Sequence, residues 1–191
     1  MKVGVVSDTH LSSRAKGLPS VLMEEFSKVD MILHLGDWVS LEIYDLLAGL
    51  APVEGIAGNN DGYEIIQRFG ESKIVTLEGM RIGMIHGHAP YSRKGTDGNA
   101  LLAFEGQEVD CILFGHSHQP LMRRENGILL FNPGSPTDKR REKQYSFGLM
   151  DIEDGKITAR HVFLRFERLG TLYSIYTKPR VMCGWLGELT W

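Results

Sequence analysis

Only two of the 191 residues are cysteine, Cys111 inside an apolar run and Cys183 near the C-terminus, and neither has a Cys-x-x-Cys partner. That density excludes a disulfide-built secreted scaffold and leaves Cys111 as an expected buried small hydrophobe. An excess of positive charge is also missing: 21 Lys and Arg stand against 24 Asp and Glu, a formal net charge of −3 mixed along the chain. Without a basic field, binding to a nucleic-acid polymer has no electrostatic support. No apolar stretch approaches the roughly 20 residues that cross a bilayer, and Met1 to Ser7 lacks the basic and long apolar regions of a secretory signal. A soluble, cytoplasmic protein without a membrane partner is expected. Internal repeats and low-complexity segments are absent. With 42% hydrophobic content, a chain of this length can fill one core without disulfide or metal staples.

What is present is a series of five short clusters in fixed order: Asp8-Thr9-His10, Gly36-Asp37, Gly58-Asn59-Asn60-Asp61, His86-Gly87-His88 and Gly115-His116-Ser117-His118. Their weights differ. An Asp-x-His triplet is expected by chance about 0.4 times in this composition, but a Gly-His-x-His run only about 0.03 times. Gly36-Asp37 alone says little, and Gly58-Asn59 alone reads as a turn. Order and spacing carry the argument. Seven of these side chains, Asp8, His10, Asp37, Asn59, His86, His116 and His118, are hard-to-borderline donors, too many for one tetrahedral ion and enough for two ions that share a ligand.

The clusters follow predicted strands. Val3 to Ser7 is a β-rich run that stops at Asp8, Met31 to Leu35 stops at Gly36-Asp37, and Val53 to Ala57 stops at Gly58. Between them, Leu18 to Lys28 has helical spacing, and Ser40 can cap a helix through Ile43, Leu46, Leu47 and Leu50 that Pro52 prevents from continuing. Sites in open α/β sheets lie beyond the carboxyl ends of strands, so these clusters are expected to converge. Farther on, Ile74 to Leu77 and Met80 to Ile85 read as a hairpin ending at His86, and Cys111 to Phe114 as a strand ending at Gly115. Asn99 to Glu105 looks helical. Leu121 to Arg124 pairs with Ile128 to Phe131, and Tyr145 to Ile152 with Lys156 to Leu164. The pattern, α/β first and more antiparallel later, suits two packed sheets with helices outside. Residues 1–165 are expected to form the domain. Residues 166–191, with Tyr173, Tyr176, Trp185 and Trp191, form a tail packed on it or in a subunit contact of a homo-oligomer.

A shared carboxylate holds two cations roughly 3.5 to 4 Å apart, because its charge offsets their repulsion. Asp37 is the expected bridge. Asp8, His10 and one imidazole of the Gly115 to His118 cluster would complete the first ion, and Asn59, His86 and the other imidazole the second. Such a pair acidifies a water held between the ions and clamps phosphoryl oxygens, so attack of the resulting hydroxide on phosphorus is the expected reaction.

The ordered set Asp-x-His, Gly-Asp, Gly-Asn-x-Asp, His-Gly and Gly-His-x-His resembles the calcineurin-like metallophosphoesterases, and Asn132-Pro133-Gly134-Ser135 narrows the likeness to the small YfcE-type phosphodiesterase branch. The resemblance covers roughly Met1 to Leu164. It implies a four-layer α/β/β/α sandwich, and a dinuclear centre with Asp8, His10, Asp37 and His118 on one ion and Asp37, Asn59, His86 and His116 on the other. It also implies manganese as the supporting metal, with nickel, iron or zinc as alternatives, and a small phosphodiester or nucleotide as substrate. A phosphomonoesterase or nuclease with the same site is the alternative. A non-catalytic scaffold is another, since a vacuolar-sorting retromer subunit resembles the same fold but has lost several ligand histidines; here every donor is retained.

Larger relatives carry His where this chain has Asn60, whose amide can hydrogen-bond a phosphate oxygen but cannot donate a proton at pH 7. His88, beside His86, is the candidate acid for the leaving group. His34, among apolar neighbours, is expected to be a satisfied core or supporting histidine, and His161 a structural one. Arg93 and Lys94 either meet a substrate's charge or are simply solvated, and Asn132 to Ser135 is read as a turn shaping the pocket floor.

Overall fold

The structure is a computed structural model that describes residues 1–10, 17–88, 95–166 and 172–176. The first sheet contains β1 (Lys2–Val6), β2 (Met31–Leu35), β3 (Val53–Ile56), β9 (Tyr145–Glu153), β10 (Lys156–Phe166) and β11 (Leu172–Tyr176) in the order β11-β10-β9-β1-β2-β3. The second contains β4 (Ser72–Leu77), β5 (Met80–Ile85), β6 (Cys111–Phe114), β7 (Leu121–Glu125) and β8 (Ile128–Asn132) in the order β4-β5-β6-β8-β7. Both sheets are mixed. Each has three parallel strands, β1-β2-β3 in one and β5-β6-β8 in the other.

Alternation along these strands makes three cores and hence four layers. Val3 and Val5 of β1, Leu33 and Leu35 of β2, Ile82 and Met84 of β5, and Cys111 and Leu113 of β6 meet between the sheets. Their neighbours point the other way: Val6 and Ile32 against helices α1 (Ser20–Phe26), α2 (Leu41–Ala48) and α3 (Tyr63–Phe69), and Ile85, Ile112 and Phe114 against α4 (Gly95–Ala103). Strands covered on both faces must be apolar at nearly every position, which is why they read as continuous hydrophobic runs. Cys111 is wholly buried, and burial pushes its thiol up, out of reach of thiolate chemistry.

The sequence expectations fit in outline, with the helix expected over Asn99 to Glu105 found at Gly95–Ala103 and with two larger differences. Ser40 Oγ does cap α2, accepting from the N–H of Glu42 at 3.2 Å, and the hairpins turn at Glu78-Gly79, Asn126-Gly127 and Asp154-Gly155. The later half, however, is not simply antiparallel, because α4 carries the chain from β5 to a parallel β6. The second difference is α3, a helix of seven residues without a side-chain cap, too short to show a period in the sequence. At the far end of the chain, β11 pairs antiparallel with β10, Leu172 opposite Phe166. Trp185, Trp191 and Cys183 lie outside the described residues, as do Arg93 and Lys94.

Candidate metal centre

The carboxyl ends of β1, β2, β5 and β6 deliver Asp8 and His10, Asp37, His86, and His116 and His118 to one place between the upper edges of the two sheets. Asp8 Oδ1 lies 3.3 Å from His118 Nε2 and 3.8 Å from both His10 Nε2 and His86 Nε2. Asp37 Oδ2 lies 3.2 Å from His10 Nε2 and 3.4 Å from His86 Nε2. Ligand atoms of Asp8, His10 and His118 sit within 4.8 Å of one another, as do those of Asp8, Asp37 and His86. His116 joins them through its ring, 5.2 Å from that of His86, and through its backbone N–H, which donates to Asp8 Oδ2 at 3.0 Å. His88 is 5.6 Å from His86 and 6.1 Å from His116 between ring centroids.

Asn59 and Asn60 part company. The Asn60 amide donates to Asp37 Oδ2 at 2.7 Å and its backbone N–H to Asp37 Oδ1 at 2.9 Å. Asn59 is exposed and makes no hydrogen bond among the described residues.

Supporting bonds fix the rings. His86 Nδ1 donates to the carbonyl of Leu35 at 2.7 Å, and His118 Nδ1 donates to the carbonyl of Asp138. Each bond leaves Nε2 with its lone pair facing inward, the tautomer a metal ligand needs. Among the described residues, six of the seven buried side-chain atoms without a hydrogen-bond partner then belong to this cluster, Asp8 Oδ1, His10 Nε2, His86 Nε2, His88 Nδ1, His116 Nδ1 and His118 Nε2, the seventh being Asn99 Oδ1. Buried polar groups in proteins are otherwise paired, so a convergent set of bare oxygen and imidazole donors fits divalent cations.

Charge around the cluster points the same way. Burial works to raise the Asp37 carboxyl, but the His10 and His86 imidazoles 3.2 and 3.4 Å from its Oδ2 prevail and hold it well below the usual carboxylate range. Burial likewise works to lower His10 and His86, and the Asp37 and Asp8 carboxylates override it and raise both. His88, His116 and His118 are lowered, by burial first; the charge of His86 adds to this for His88 and His116, while Asp8 opposes it for His118. A divalent cation bound here would compete with protons for His10 and His86.

The backbone is bent to make these placements. Positive φ occurs at Asp8 (55°), His10 (31°), Asp37 (58°), Val39 (69°), His116 (65°) and His118 (58°). Such strain persists only where its surroundings enforce it. Asp61 is one enforcer, since its carboxylate accepts from the N–H groups of Asp37 (2.8 Å), Gly58 (2.7 Å) and Val39 (2.7 Å). His34 is another. Gly36 N–H donates to its Nδ1 at 3.2 Å, so Nε2–H faces Thr9 Oγ1 at 3.1 Å, and the Thr9 hydroxyl donates to the Asp37 carbonyl at 3.3 Å. The buried ring, stacked 3.6 Å from Trp38, thus joins the loops after β1 and β2. Ser135 Oγ donates to the Asp8 carbonyl at 2.7 Å, and Asn132 Nδ2 holds the Gly115 carbonyl at 2.9 Å. His161 accepts a supporting place below, its Nε2 2.8 Å from the Asn132 carbonyl. Two glycines are required by close approach: a Cβ at Gly58 would lie 2.2 Å from Asp37 Oδ1, and one at Gly115 1.9 Å from Ser7 Oγ.

Comparison with known proteins identifies the family and the fold. The family model of the calcineurin-like phosphoesterase superfamily domain matches residues 1–155. A protein of Methanocaldococcus jannaschii named a probable metallophosphoesterase is 42% identical over 143 residues, covering 73% of this chain and 70% of its own. A phosphodiesterase of the same organism is 27% identical over 150 residues, covering 70% of this chain and 83% of its own. Among solved structures, Vps29 of Chaetomium thermophilum superposes with a TM-score of 0.77 at 25% identity, over 94% of this chain and all of that one. The chain belongs to the calcineurin-like phosphoesterase superfamily.

Proposed function

We propose that the protein is a metal-dependent phosphodiesterase that hydrolyses small phosphodiesters, holding two divalent ions with Asp8, His10, Asp37, Asn59, His86, His116 and His118. The observation that carries this reading is the convergence of six buried, unpartnered donor atoms in one place. Asp37 is the proposed bridge, since its Oδ2 lies 3.2 Å from His10 Nε2 and 3.4 Å from His86 Nε2, while Asp8 is the residue that the two close groups of ligand atoms share. Two bound ions supply an acidified solvent nucleophile and a clamp for phosphoryl oxygens; manganese fits this oxygen and nitrogen set, and nickel, iron or zinc are the alternatives.

The chain's own groups do the rest. The Asn60 amide, already turned toward Asp37 Oδ2, donates a hydrogen bond to a phosphate oxygen. His88 meets the leaving oxygen. In the metal-free protein burial, then the charge of His86, lowers its ring's proton affinity; an unchanged pH–rate profile in His88→Ala would count against its role as the acid. Diesters are favoured over monoesters by the phosphodiesterase relative.

A scaffold role is the second reading, drawn from the likeness to Vps29, one solved structure of which holds a cyclic peptide. The bare donor set weighs against it, because clustered unpaired carboxylates and imidazoles destabilise a fold that has no use for them. A panel of chromogenic mono- and diesters, assayed after chelation and again with manganese, distinguishes the readings. Diester turnover is expected to vanish on chelation and return with manganese. Equal activity with and without chelator overturns the proposal.

A further inference from the structure

Beside the centre runs a charged turn, Asp138-Lys139-Arg140-Arg141-Glu142-Lys143, that the proposed chemistry leaves unused. Lys139, Arg140, Arg141 and Glu142, with Ser117 and Gln119, line a cavity of about 320 Å3. Ser117 stands between His116 and His118 in the chain. The turn itself is tied to the ligand loops: Thr137 Oγ1 donates to the carbonyls of Asp8 (3.3 Å) and Thr9, Asp138 N–H donates to Ser135 Oγ at 2.9 Å, and the Asp138 carbonyl receives His118 Nδ1. Arg140 sits at φ 44° with its N–H on Asp138 Oδ1 at 3.1 Å, and Glu142 N–H closes the turn on the Lys139 carbonyl at 2.8 Å. The backbone that carries these cations is therefore tied to the loops of the centre.

Their charges are incompletely spent. Arg140 Nε lies 3.9 Å from Asp138 Oδ2, a loose pair. Lys139 Nζ donates to the carbonyl of Glu142 at 2.9 Å and has no carboxylate partner, while exposed Arg141 makes no hydrogen bond or ion pair among the described residues. Ser117 Oγ accepts from Asn132 Nδ2 (3.1 Å) and Gln119 N–H (3.3 Å), and its own proton meets no acceptor among the described residues. A guanidinium, an ammonium and a hydroxyl proton on one cavity suit the oxygens of a phosphate dianion, and on a chain of net charge −3 their grouping is local.

We propose that this cavity is a second anion subsite, so that the substrate is a nucleotide-type phosphodiester bearing a further phosphate, held by Lys139, Arg141 and Ser117 while the metal centre takes the diester. The inference rests on the phosphodiesterase reading above and names its substrate class. The test compares two chromogenic diesters with one leaving group, thymidine 5′-(p-nitrophenyl phosphate) and its 3′-phosphorylated counterpart, on manganese-loaded protein. The KM is expected to be about tenfold lower for the phosphorylated diester, a preference that Arg141→Glu removes and Arg141→Lys largely keeps. Independently, titration of chelator-treated protein with inorganic phosphate is expected to show saturable binding that Arg141→Glu weakens about tenfold. Equal KM values, or a preference untouched by Arg141→Glu, overturn the subsite. If the wild type turns over neither diester, the phosphodiesterase reading fails instead, and the phosphate titration then decides the subsite: loss of binding in Arg141→Glu sustains it, and unchanged binding overturns it.

Discussion

Left-handed backbone occurs at both ends of the sandwich, but on different kinds of residue. At the end away from the site, the turns Glu78-Gly79, Asn126-Gly127 and Asp154-Gly155 are exposed and take positive φ at both positions, the geometry that two-residue hairpins need. At the ligand end positive φ falls on Asp8, His10, Asp37, His116 and His118, and on β-branched Val39. Each such residue costs on the order of 1–2 kcal/mol. In the hairpins a glycine always takes the second position, with Asn, Asp or Glu at the first, to suit the backbone; at the centre the backbone is bent to suit the side chains. Asp61, His34, Thr9 and Ser135 supply the buried bonds that hold the bend.

Changes at the two ends should therefore separate cleanly. The largest effect is expected from Asp37→Asn, which keeps the side chain's shape and removes the shared charge: turnover falls at least about a thousandfold, and elemental analysis finds neither ion retained. Retention of one ion would contradict the bridging role. Next comes Asp61→Asn, which changes no proposed ligand but replaces one of the two oxygens that accept from the N–H groups of Asp37, Gly58 and Val39. Metal titration should show affinity weakened about 10- to 100-fold, and urea unfolding of the metal-free protein a loss of about 1–3 kcal/mol.

Paired glycine changes sharpen the contrast. Gly115→Ala forces a Cβ toward Ser7 and Asp8 and is expected to cost about 1–3 kcal/mol while also weakening metal binding. Gly79→Ala meets open space at φ 79° and should cost about 1 kcal/mol from the backbone alone, with metal affinity intact. Equal effects on metal binding would erase the distinction between the ends. The smallest effect concerns pH. In the metal-free protein His34, His88, His116, His118 and His161 are lowered, all by burial first, whereas His10 and His86 are raised. A lowered histidine stays neutral in the fold while the unfolded chain takes up its proton near pH 6.5, so its stability is present above that pH and is lost below it; raised histidines act oppositely. With five against two, unfolding free energy should fall modestly from pH 7 to pH 5, and His34→Gln should flatten that slope.

Much of this was legible in the sequence because the strands are buried on both faces and each stops at a polar cluster. Periodicity located β1, β2, β5 and β6, and order located Asp8, His10, Asp37, His86, His116 and His118 in one place. Spacing could not tell what a carboxylate faces. Asp61 looks like one more donor in Gly58-Asn59-Asn60-Asp61, yet its oxygens are occupied by backbone N–H groups. Nor could spacing decide which amide approaches Asp37, since Asn59 and Asn60 are adjacent and chemically identical. Ser135 was legible only as the end of a turn and Thr137 not at all, because their bonds reach the backbone of Asp8 across more than 120 residues of chain.

The bond from His86 Nδ1 to the Leu35 carbonyl has a kinetic corollary. It fastens a donor of one sheet to a strand of the other, so that ring cannot swing aside to release what it holds. Under the proposed metal reading, an ion on His86 would leave only when the two halves breathe apart, and its exchange with the medium would be gated by the protein's own fluctuations.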